Sequence, residues 1–289
     1  MNYSIEFPNL HIHLNHVIKT ISIGNFSIAM YGICIAIGML LAVSLAMREA
    51  KRVGASQDKY LDIILVSIVL AIIGARLYYV AFSWDSYKND LLSIFNIRGG
   101  GLAIYGGVLF GALGVVIFGK IWKQNVLQML DTVVLGVLIG QICGRWGNFF
   151  NREAFGEYTN GLLAMRLPVN AVRSHEITEL MWQNAVTIDG SQYIQVAPTF
   201  LYESLWNVTV LIILYIYRTH KHFDGEILLG YCVGYGLGRF WIEGLRTDQL
   251  ILWNTNIPVS QAVGLIGAIV GAILIAVFEI RYYKRKKAQ

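Results

Sequence analysis

Seven runs of mostly apolar residues constrain this chain more than any other feature, because each approaches the length of about 20 residues that an α-helix needs to cross a membrane. Hydrophobic residues make up 56% of the 289 residues and charged residues 14%, whereas soluble domains carry about 25% charged residues. We therefore predict an all-α polytopic membrane protein, with residues 1–289 in one integral membrane domain. The predicted helices cover approximately residues 24–47, 61–82, 101–119, 126–144, 199–217, 226–243 and 259–280.

The lysines and arginines between these runs predict how the helices are oriented. One set of alternate loops, together with the C-terminal tail, holds 13 of the 23 basic residues, and the other set holds eight over much longer segments. Because basic residues collect in cytoplasmic loops, the N-terminus is predicted outside and the C-terminus in the cytoplasm. The first 22 residues lack the basic start and apolar core of a cleavable signal peptide.

The longest connection, residues 145–198, is predicted to form a small extracytoplasmic head between the fourth and fifth helices. It opens with Arg145 and continues through Asn148, Asn151 and Glu153. Ionisable groups at membrane depth are costly and usually face a bundle interior or a wet cavity, so they indicate a functional site. Arginine cannot act as a general base, but its planar fork can bind phosphate through two parallel hydrogen bonds. The alternative is that Arg145 only extends to the lipid headgroups.

A polar stripe follows the sixth run. Tyr235, Arg239 and Glu243 recur every four residues and Arg246 follows three residues later, so these side chains share one face of a helix. Two or three arginines around one pocket of low dielectric constant suit the phosphodiester headgroup of a lipid. The alternative is that Arg239 and Glu243 merely neutralise each other.

Glycines spaced four residues apart precede both arginines. Small residues at this spacing let helix backbones approach closely in lipid, so both helices are predicted to be tightly packed. The two series are Gly136, Gly140 and Gly144 before Arg145, and Gly230, Gly234 and Gly238 before Arg239.

Three further polar side chains lie in predicted helices, at least two of them near the outer ends. Glu203 stands one turn into the fifth run, Tyr105 follows the glycine-rich segment that opens the third run, and Tyr31 lies in the first run. An ordinary interfacial aromatic residue is the alternative for Tyr105, and simple packing is the alternative for Tyr31.

Metal and cofactor chemistry finds little support in the sequence. The three cysteines lie in apolar runs without paired spacing, and the histidines at the N-terminal end are not joined by a carboxylate or cysteine cluster. The zinc-protease, nucleophile-elbow and P-loop motifs do not occur. No metal or cofactor is predicted. The net charge of +5 follows from the basic loops, so no nucleic-acid partner is predicted either.

Residues 144–153 read Gly-Arg-Trp-Gly-Asn-Phe-Phe-Asn-Arg-Glu, which resembles the signature of the bacterial phosphatidylglycerol–prolipoprotein diacylglyceryl transferase family. The resemblance covers nearly the whole chain, and the seven-helix, N-outside architecture of that family agrees with the topology predicted above. The other segments that resemble the family, in the same order, are residues 31–32, 74–77, 99–107, 198–203 and 235–246.

The resemblance implies an enzyme of the bacterial cytoplasmic membrane that works at the outer leaflet. It would transfer diacylglyceryl from phosphatidylglycerol to the lipobox cysteine of a preprolipoprotein, forming a thioether and releasing glycerol phosphate without a cofactor. Arg145 and Arg239 would bind the phosphate. Many members have histidine, a proposed general base, at the position of Tyr105, and some have tyrosine there. Tyr105 is our third candidate catalytic residue, although a phenol, with a pKa of about 10, is a poor base unless nearby arginines lower that pKa. Residues predicted to bind substrate, from the resemblance and the polar stripes together, are Tyr31, Asn148, Asn151, Glu153, Gly156, Glu203, Tyr235, Glu243 and Arg246.

Two other functions fit the composition and the polar stripes. One is a transporter for an anionic solute, and the other is a noncatalytic module that binds phospholipid without consuming it. No internal repeat indicates two halves that alternate access to the two sides of a membrane. The signature favours the transferase, and turnover of lipid distinguishes it from both alternatives.

Overall fold

The computed structural model describes residues 4–24, 26–97, 100–252 and 255–288, and most of them are helical. Each predicted run coincides with a long helix, and six of the long helices are sufficiently long and apolar to cross a membrane, as a polytopic membrane protein requires. The helices are α1 (Met30–Arg52), α2 (Gln57–Phe82), α3 (Ile104–Ile121), α4 (Val126–Asn151), α5 (Glu179–Gln183), α6 (Thr199–Tyr217), α7 (Glu226–Glu243) and α8 (Val259–Ala288). Helix α7 is not among the six, since it carries Glu226, Arg239 and Glu243.

Seven short strands in the described chain correct the all-α prediction. They are β1 (Ile5–Phe7), β2 (Ile12–Leu14), β3 (Thr20–Ile23), β4 (Phe26–Ala29), β5 (Met165–Pro168), β6 (Val186–Ile188) and β7 (Ser191–Val196). Five of them form an antiparallel sheet in the order β2-β1-β5-β7-β6, and β3 and β4 form a hairpin. Strands of three to six residues are too short for the alternation of apolar and polar residues to identify them. The five-stranded sheet, called the head below, combines β1 and β2 from the N-terminal residues with β5, β6 and β7 from the segment between α4 and α6.

Two helix ends differ from their predicted positions. Helix α1 begins at Met30 rather than near residue 24, because the preceding chain turns at Gly24, with φ +58°, within the β3–β4 hairpin. Helix α4 continues to Asn151 rather than ending near residue 144. Arg145 and Asn148 therefore lie on the last turns of a helix and not in a loop.

A buried apolar cluster attaches the five-stranded sheet to two helix ends. Ile5 and Phe7 of β1 pack in it together with Phe149 of α4 and Phe200 of α6. Phe149 lies one turn after Arg145, and Phe200 lies one turn before Glu203. The core of the head thus fixes the helix ends that carry two of the predicted site residues.

The chain divides into two compact units, residues 43–133 and residues 1–42 with 134–289. In the first of these units α2 packs on α3, where Gly74 lies against the Phe110 side chain. Arg76 is buried in this unit and donates hydrogen bonds of 2.7–3.1 Å to five backbone carbonyls, which makes it a structural residue of the α2–α3 connection. The five acceptors are those of Ser93, Ile94, Asn96, Gly100 and Gly101.

Glycines hold the helices of the other unit close together, as their spacing predicted. Along α4, Gly136 lies against Ala42 and Gly144 against Ile35, so α4 packs antiparallel to α1. Along α7, three glycines meet three side chains of α6 in reverse order, and α6 and α7 are therefore antiparallel. The pairs are Gly230 with Leu214, Gly234 with Val210 and Gly238 with Trp206. A Cβ added at Gly140 would have no heavy atom within 4 Å, so close packing at this position does not itself require glycine.

Candidate active site

Arg145 and Arg239, from two different helices, converge on the carboxylate of Glu203 on a third. Arg145 Nη2 lies 2.7 Å from Glu203 Oε1, and Arg239 Nη1 lies 3.0 Å from Glu203 Oε2 and 3.2 Å from Oε1. The Glu203 side chain is only 2% exposed, whereas those of Arg145 and Arg239 are 17% and 11% exposed. The arginines that the sequence placed in one site therefore share one buried counter-ion.

The helix contacts explain why these three side chains meet. Trp206 lies one turn beyond Glu203 on the face of α6 that meets α7, and it donates from Nε1 to the Gly234 carbonyl at 2.8 Å. This contact fixes α6 against α7 so that Glu203 faces Arg239. Gln141 of α4 donates to the Tyr231 hydroxyl of α7 at 2.9 Å, one turn before Arg145 on α4 and two turns before Arg239 on α7. Helices α4 and α7 thus run parallel and carry both arginines toward the head.

The cluster continues along α7 and past its end. Arg239 Nη2 pairs with Glu243, whose Oε2 lies 3.9 Å from Arg246 Nη1. Arg246 in turn forms a bidentate pair with Asp248, with distances of 2.9 Å and 2.7 Å. The alternative of a self-neutralising Arg239–Glu243 pair describes only part of this network, because Arg239 also binds Glu203.

The Arg246–Asp248 pair strongly favours its charged form. Burial opposes ionisation of the Asp248 carboxyl, but the hydrogen bonds and positive charge of Arg246 outweigh burial and lower its pKa. Burial likewise opposes charging of Arg246, and the hydrogen bonds and charge of Asp248 outweigh it and raise the Arg246 pKa. Asp248 was not predicted from the sequence, although an acidic residue two positions after a predicted site arginine was a usable signal.

A second chain of hydrogen bonds leads from Arg145 into the head. Asn148 accepts from Arg145 Nη1 at 3.2 Å and donates to Glu153 Oε1 at 3.0 Å. Asn151 also donates to Glu153 Oε1, at 3.2 Å. The other oxygen of Glu153 accepts from Arg173 at 3.2 Å. The structure thus brings Asn148, Asn151 and Glu153 together beside Arg145, and it adds Arg173, which sequence reasoning missed because it lies 20 residues away in the head.

Tyr31 and Tyr235 flank this region on the helix side. The ring of Tyr31 lies over Gly147, where an added Cβ would be 2.6 Å from its Cδ2 atom. Tyr235 forms a side-chain hydrogen bond with Arg145 and stacks on Tyr231 at a ring-centroid distance of 5.4 Å. Tyr31 therefore packs closely on α4, as the alternative of simple packing predicted. It also lies within electrostatic reach of Arg145 and Glu153.

Gly156 connects the head to the segment after α7. Its backbone forms an isolated antiparallel bridge with Arg246, and its amide donates to the Ala197 carbonyl at 2.9 Å. A Cβ at this position would lie 2.6 Å from the Leu245 carbonyl oxygen. The residue therefore has a structural reason to be glycine: only a hydrogen in place of a side chain permits this approach.

Tyr105 is the second residue of α3 and belongs to the unit formed by residues 43–133. Its assignment as a catalytic residue stays a prediction. The predicted glycine-rich segment, residues 98–107, is described only from Gly100 onward, since Arg98 and Gly99 lie outside the described residues.

One group of side chains has the residue types of a metal site. His222, Glu226 and Glu279 place ligand atoms within 4.8 Å of one another. These atoms already bind each other and the backbone: His222 Nδ1 lies 2.7 Å from Glu279 Oε1, and the His222 amide donates to Glu226 Oε2 at 2.6 Å. The group therefore has an internal structural role at the start of α7 and the end of α8.

The arginine cluster is balanced in charge. Its three cations and three carboxylates are Arg145, Arg239, Arg246, Glu203, Glu243 and Asp248. Buried ions require such pairing, because an uncompensated charge in a medium of low dielectric constant is costly. A guanidinium offers five N–H donors, more than the carboxylates here accept, so the partly exposed arginines retain the capacity to bind a further anion. Chemically, the cluster suits an anion whose charge grows during a reaction.

Comparisons with a family model and with individual proteins point to the same family. The family model for prolipoprotein diacylglyceryl transferase matches residues 19–277. A protein of Clostridioides difficile (strain 630) is 43% identical over 84% of this chain and 88% of its own length. One of Clostridium kluyveri is 44% identical over 86% and 91%, and one of Streptococcus suis (strain 05ZYH33) is 43% identical over 88% and 90%. All three relatives are named phosphatidylglycerol–prolipoprotein diacylglyceryl transferase.

Proposed function

The chain belongs to the prolipoprotein diacylglyceryl transferase family, and from this premise we propose that it transfers diacylglyceryl from phosphatidylglycerol to the lipobox cysteine of a preprolipoprotein. The observation that carries the proposal for the site is the convergence of Arg145 and Arg239 on Glu203. Two guanidinium groups that meet at one point and are largely buried can hold a phosphodiester by bidentate hydrogen bonds. The lipid anion then competes with Glu203 for guanidinium N–H groups.

The reaction exchanges one bond for another at a glyceryl carbon. The cysteine sulfur attacks the carbon that bears the phosphate, a carbon–sulfur bond forms, and the carbon–oxygen bond to the phosphate breaks. The electron pair of that bond leaves with glycerol phosphate, and the thiol proton passes to a general base or to solvent; the assignment of Tyr105 to this role stays a prediction. The thiol has a reference pKa of about 8.5, so its deprotonation benefits from a cationic environment.

The arginines contribute most in the transition state. The departing phosphate gains negative charge as the carbon–oxygen bond breaks, and preorganised cations stabilise charge that develops during reaction more than charge already present. Substrate positioning falls to the residues around the arginines. Asn148, with Glu153 behind it, orients Arg145, and Tyr235 lies against the same guanidinium.

We place this chemistry in the outer leaflet of the bacterial cytoplasmic membrane, with α7 as a seventh span. The support is the distribution of basic residues and the position of the arginines at the head ends of α4 and α7. All three native cysteines can be replaced and single cysteines introduced at Ser174 or Lys284. A membrane-impermeant maleimide should label the Ser174 position in intact spheroplasts and the Lys284 position only after permeabilisation. The reverse pattern would refute the orientation.

The decisive activity test is one incubation of purified protein, phosphatidylglycerol and a synthetic lipobox peptide. Mass spectrometry should find diacylglyceryl on the cysteine. Arg145→Ala should lower the rate by about a thousandfold, since one lost donor to a developing oxyanion costs about 3–4 kcal/mol. The matched control is Arg48→Ala, because Arg48 lies near the C-terminal end of α1 and is not part of the arginine cluster. Transport or binding of lipid without product would favour the two alternative functions.

A further inference from the structure

A second group of cations lines a pocket of about 190 Å³ in the head. Asn151 and Glu153 belong both to this pocket and to the surroundings of Arg145, whereas the cations of the pocket have no part in the arginine cluster. The pocket wall is largely polar, with two small apolar residues. Its lining residues are Lys19, Asn151, Arg152, Glu153, Ala171, Val172 and Arg173.

The fold holds each of these cations in place. Arg152 is 2% exposed and donates from Nη2 to the Val17 carbonyl at 2.6 Å. Lys19 Nζ donates to the Ala171 carbonyl at 3.3 Å. Arg173 lies between two carboxylates, Glu153 at 3.2 Å and Glu176 at 3.0 Å. The site is therefore built from three separate segments of the chain, with Arg152 buried and Lys19 and Arg173 exposed.

Positive charge exceeds negative charge at this pocket. Three cations face the carboxylates of Glu153 and Glu176, which leaves an excess of one positive charge. Burial lowers the pKa of the Lys19 ammonium, the nearby Arg152 and Arg173 lower it further, and the carboxylates of Glu153 and Glu176 oppose these effects only in part. A concave site with unbalanced positive charge attracts a small anion.

The pocket is connected to the arginine cluster through a single carboxylate. Glu153 Oε2 faces Arg173 in the pocket, and Glu153 Oε1 accepts from Asn148, which in turn accepts from Arg145. The two groups of cations are thus linked by one chain of side-chain hydrogen bonds.

We propose that this pocket binds the glycerol phosphate released by the reaction, as a product site on the way from the arginine cluster to the solvent. The inference rests on the proposed function, which supplies the product. A phosphate monoester carries more negative charge than the diester of the lipid and matches a pocket with excess cations. Its hydroxyl groups can donate to Glu153 and accept from Asn151. The lining offers acyl chains only Ala171 and Val172, so the intact lipid fits poorly.

The test is product inhibition of the purified full-length protein. Initial transfer rates are measured at rising glycerol phosphate, with uncharged glycerol as a second probe. In Lys19→Gln and Arg173→Gln, the ratio of the inhibition constant for glycerol phosphate to the KM for phosphatidylglycerol should rise about fivefold, as expected for one lost cation at a partly exposed site. Lys88→Gln removes the same charge from a side chain that does not line the pocket, and its ratio should equal that of the wild type.

Several outcomes would overturn the inference. An unchanged ratio in both pocket variants would do so, and so would equal inhibition by glycerol. A raised KM for the lipobox peptide with an unchanged inhibition constant would assign the pocket to the prolipoprotein instead. If the wild type produced no lipidated peptide at all, the proposed function would fail, and equilibrium dialysis with labelled glycerol phosphate would still decide the binding question. Saturable binding that Lys19→Gln weakens would support the site, and absent binding would refute it.

Discussion

The backbone of Gly156 pairs with that of Arg246, and this bridge joins the head directly to the segment that follows α7. The Glu157 amide donates to the Leu245 carbonyl at 3.3 Å, and the Thr247 amide donates to the Phe155 carbonyl at 3.3 Å. Arg246 reaches toward Glu243 from the segment held in this way. The head therefore sets the position of one end of the arginine cluster.

Gly156→Ala should disturb this arrangement. The new Cβ would lie 2.6 Å from the Leu245 carbonyl oxygen, so the backbone around Arg246 must move. Overpacking of this kind costs about 1–3 kcal/mol, and we expect the transfer rate to fall about tenfold or more. Gly267→Ala on α8 is the control, because no heavy atom lies within 4 Å of its added Cβ, and it should retain the wild-type rate. Equal rates for the two variants would contradict the proposed role of Gly156.

Glu203→Gln should make the protein depend on its lipid substrate. The change leaves two guanidinium groups without their shared negative charge, and breaking a buried pair costs about 3 kcal/mol. We therefore expect a lower unfolding temperature in detergent. Added phosphatidylglycerol should stabilise this variant more than the wild type, since the lipid anion replaces the missing charge.

The control for this experiment is Glu179→Gln, an exposed residue at the start of α5. Its unfolding temperature should respond to phosphatidylglycerol as the wild type does. The interpretation would be wrong if the lipid-dependent stabilisation were the same in Glu203→Gln and Glu179→Gln.

Arg239→Lys keeps the charge but should fail in catalysis. Arg239 contacts Glu203 and Glu243 through different nitrogens of one planar group, which an ammonium cannot reproduce. We expect kcat for diacylglyceryl transfer to fall by about a hundredfold or more. Arg218→Lys, at the residue that follows the C-terminal end of α6, should stay near the wild-type rate, and a comparable loss there would indicate a general effect of lost arginine.

The sequence predicted the helices well because their signal is strong. Residues 199–217 and 226–243 were predicted as helices and are α6 and α7 with the same bounds. A membrane helix needs a long apolar run, which few other structures produce. The strands were missed because they are short and pair over long distances, as when Glu6 of β1 lies opposite Arg166 of β5.

The sequence predicted which residues form the site but not which of them contact one another. The spacing of Tyr235, Arg239 and Glu243 put these residues on one face of α7, but no spacing within one helix indicates which face a different helix presents. Glu203 was accordingly predicted as one neighbour among several, whereas it is the carboxylate that both arginines share. The product pocket depends on contacts between Lys19 and residues about 150 positions later, and no local pattern indicates them.

The last prediction concerns pH and the Arg246–Asp248 pair. Although burial opposes ionisation of Asp248, its bidentate bond to Arg246 holds its pKa below the ordinary value of 3.8. A carboxyl group with a depressed pKa in the folded state stabilises the protein above its unfolded pKa and loses that contribution as pH falls through the folded value. The difference in unfolding temperature between wild type and Asp248→Asn should therefore be constant near neutral pH and shrink below about pH 4.

Unfolding in detergent between pH 7 and pH 3 measures this difference. Asp85→Asn, whose side chain is 91% exposed, is the control and should differ little from the wild type throughout. A constant gap between wild type and Asp248→Asn down to pH 3 would show that the ion pair does not stabilise the segment carrying Arg246.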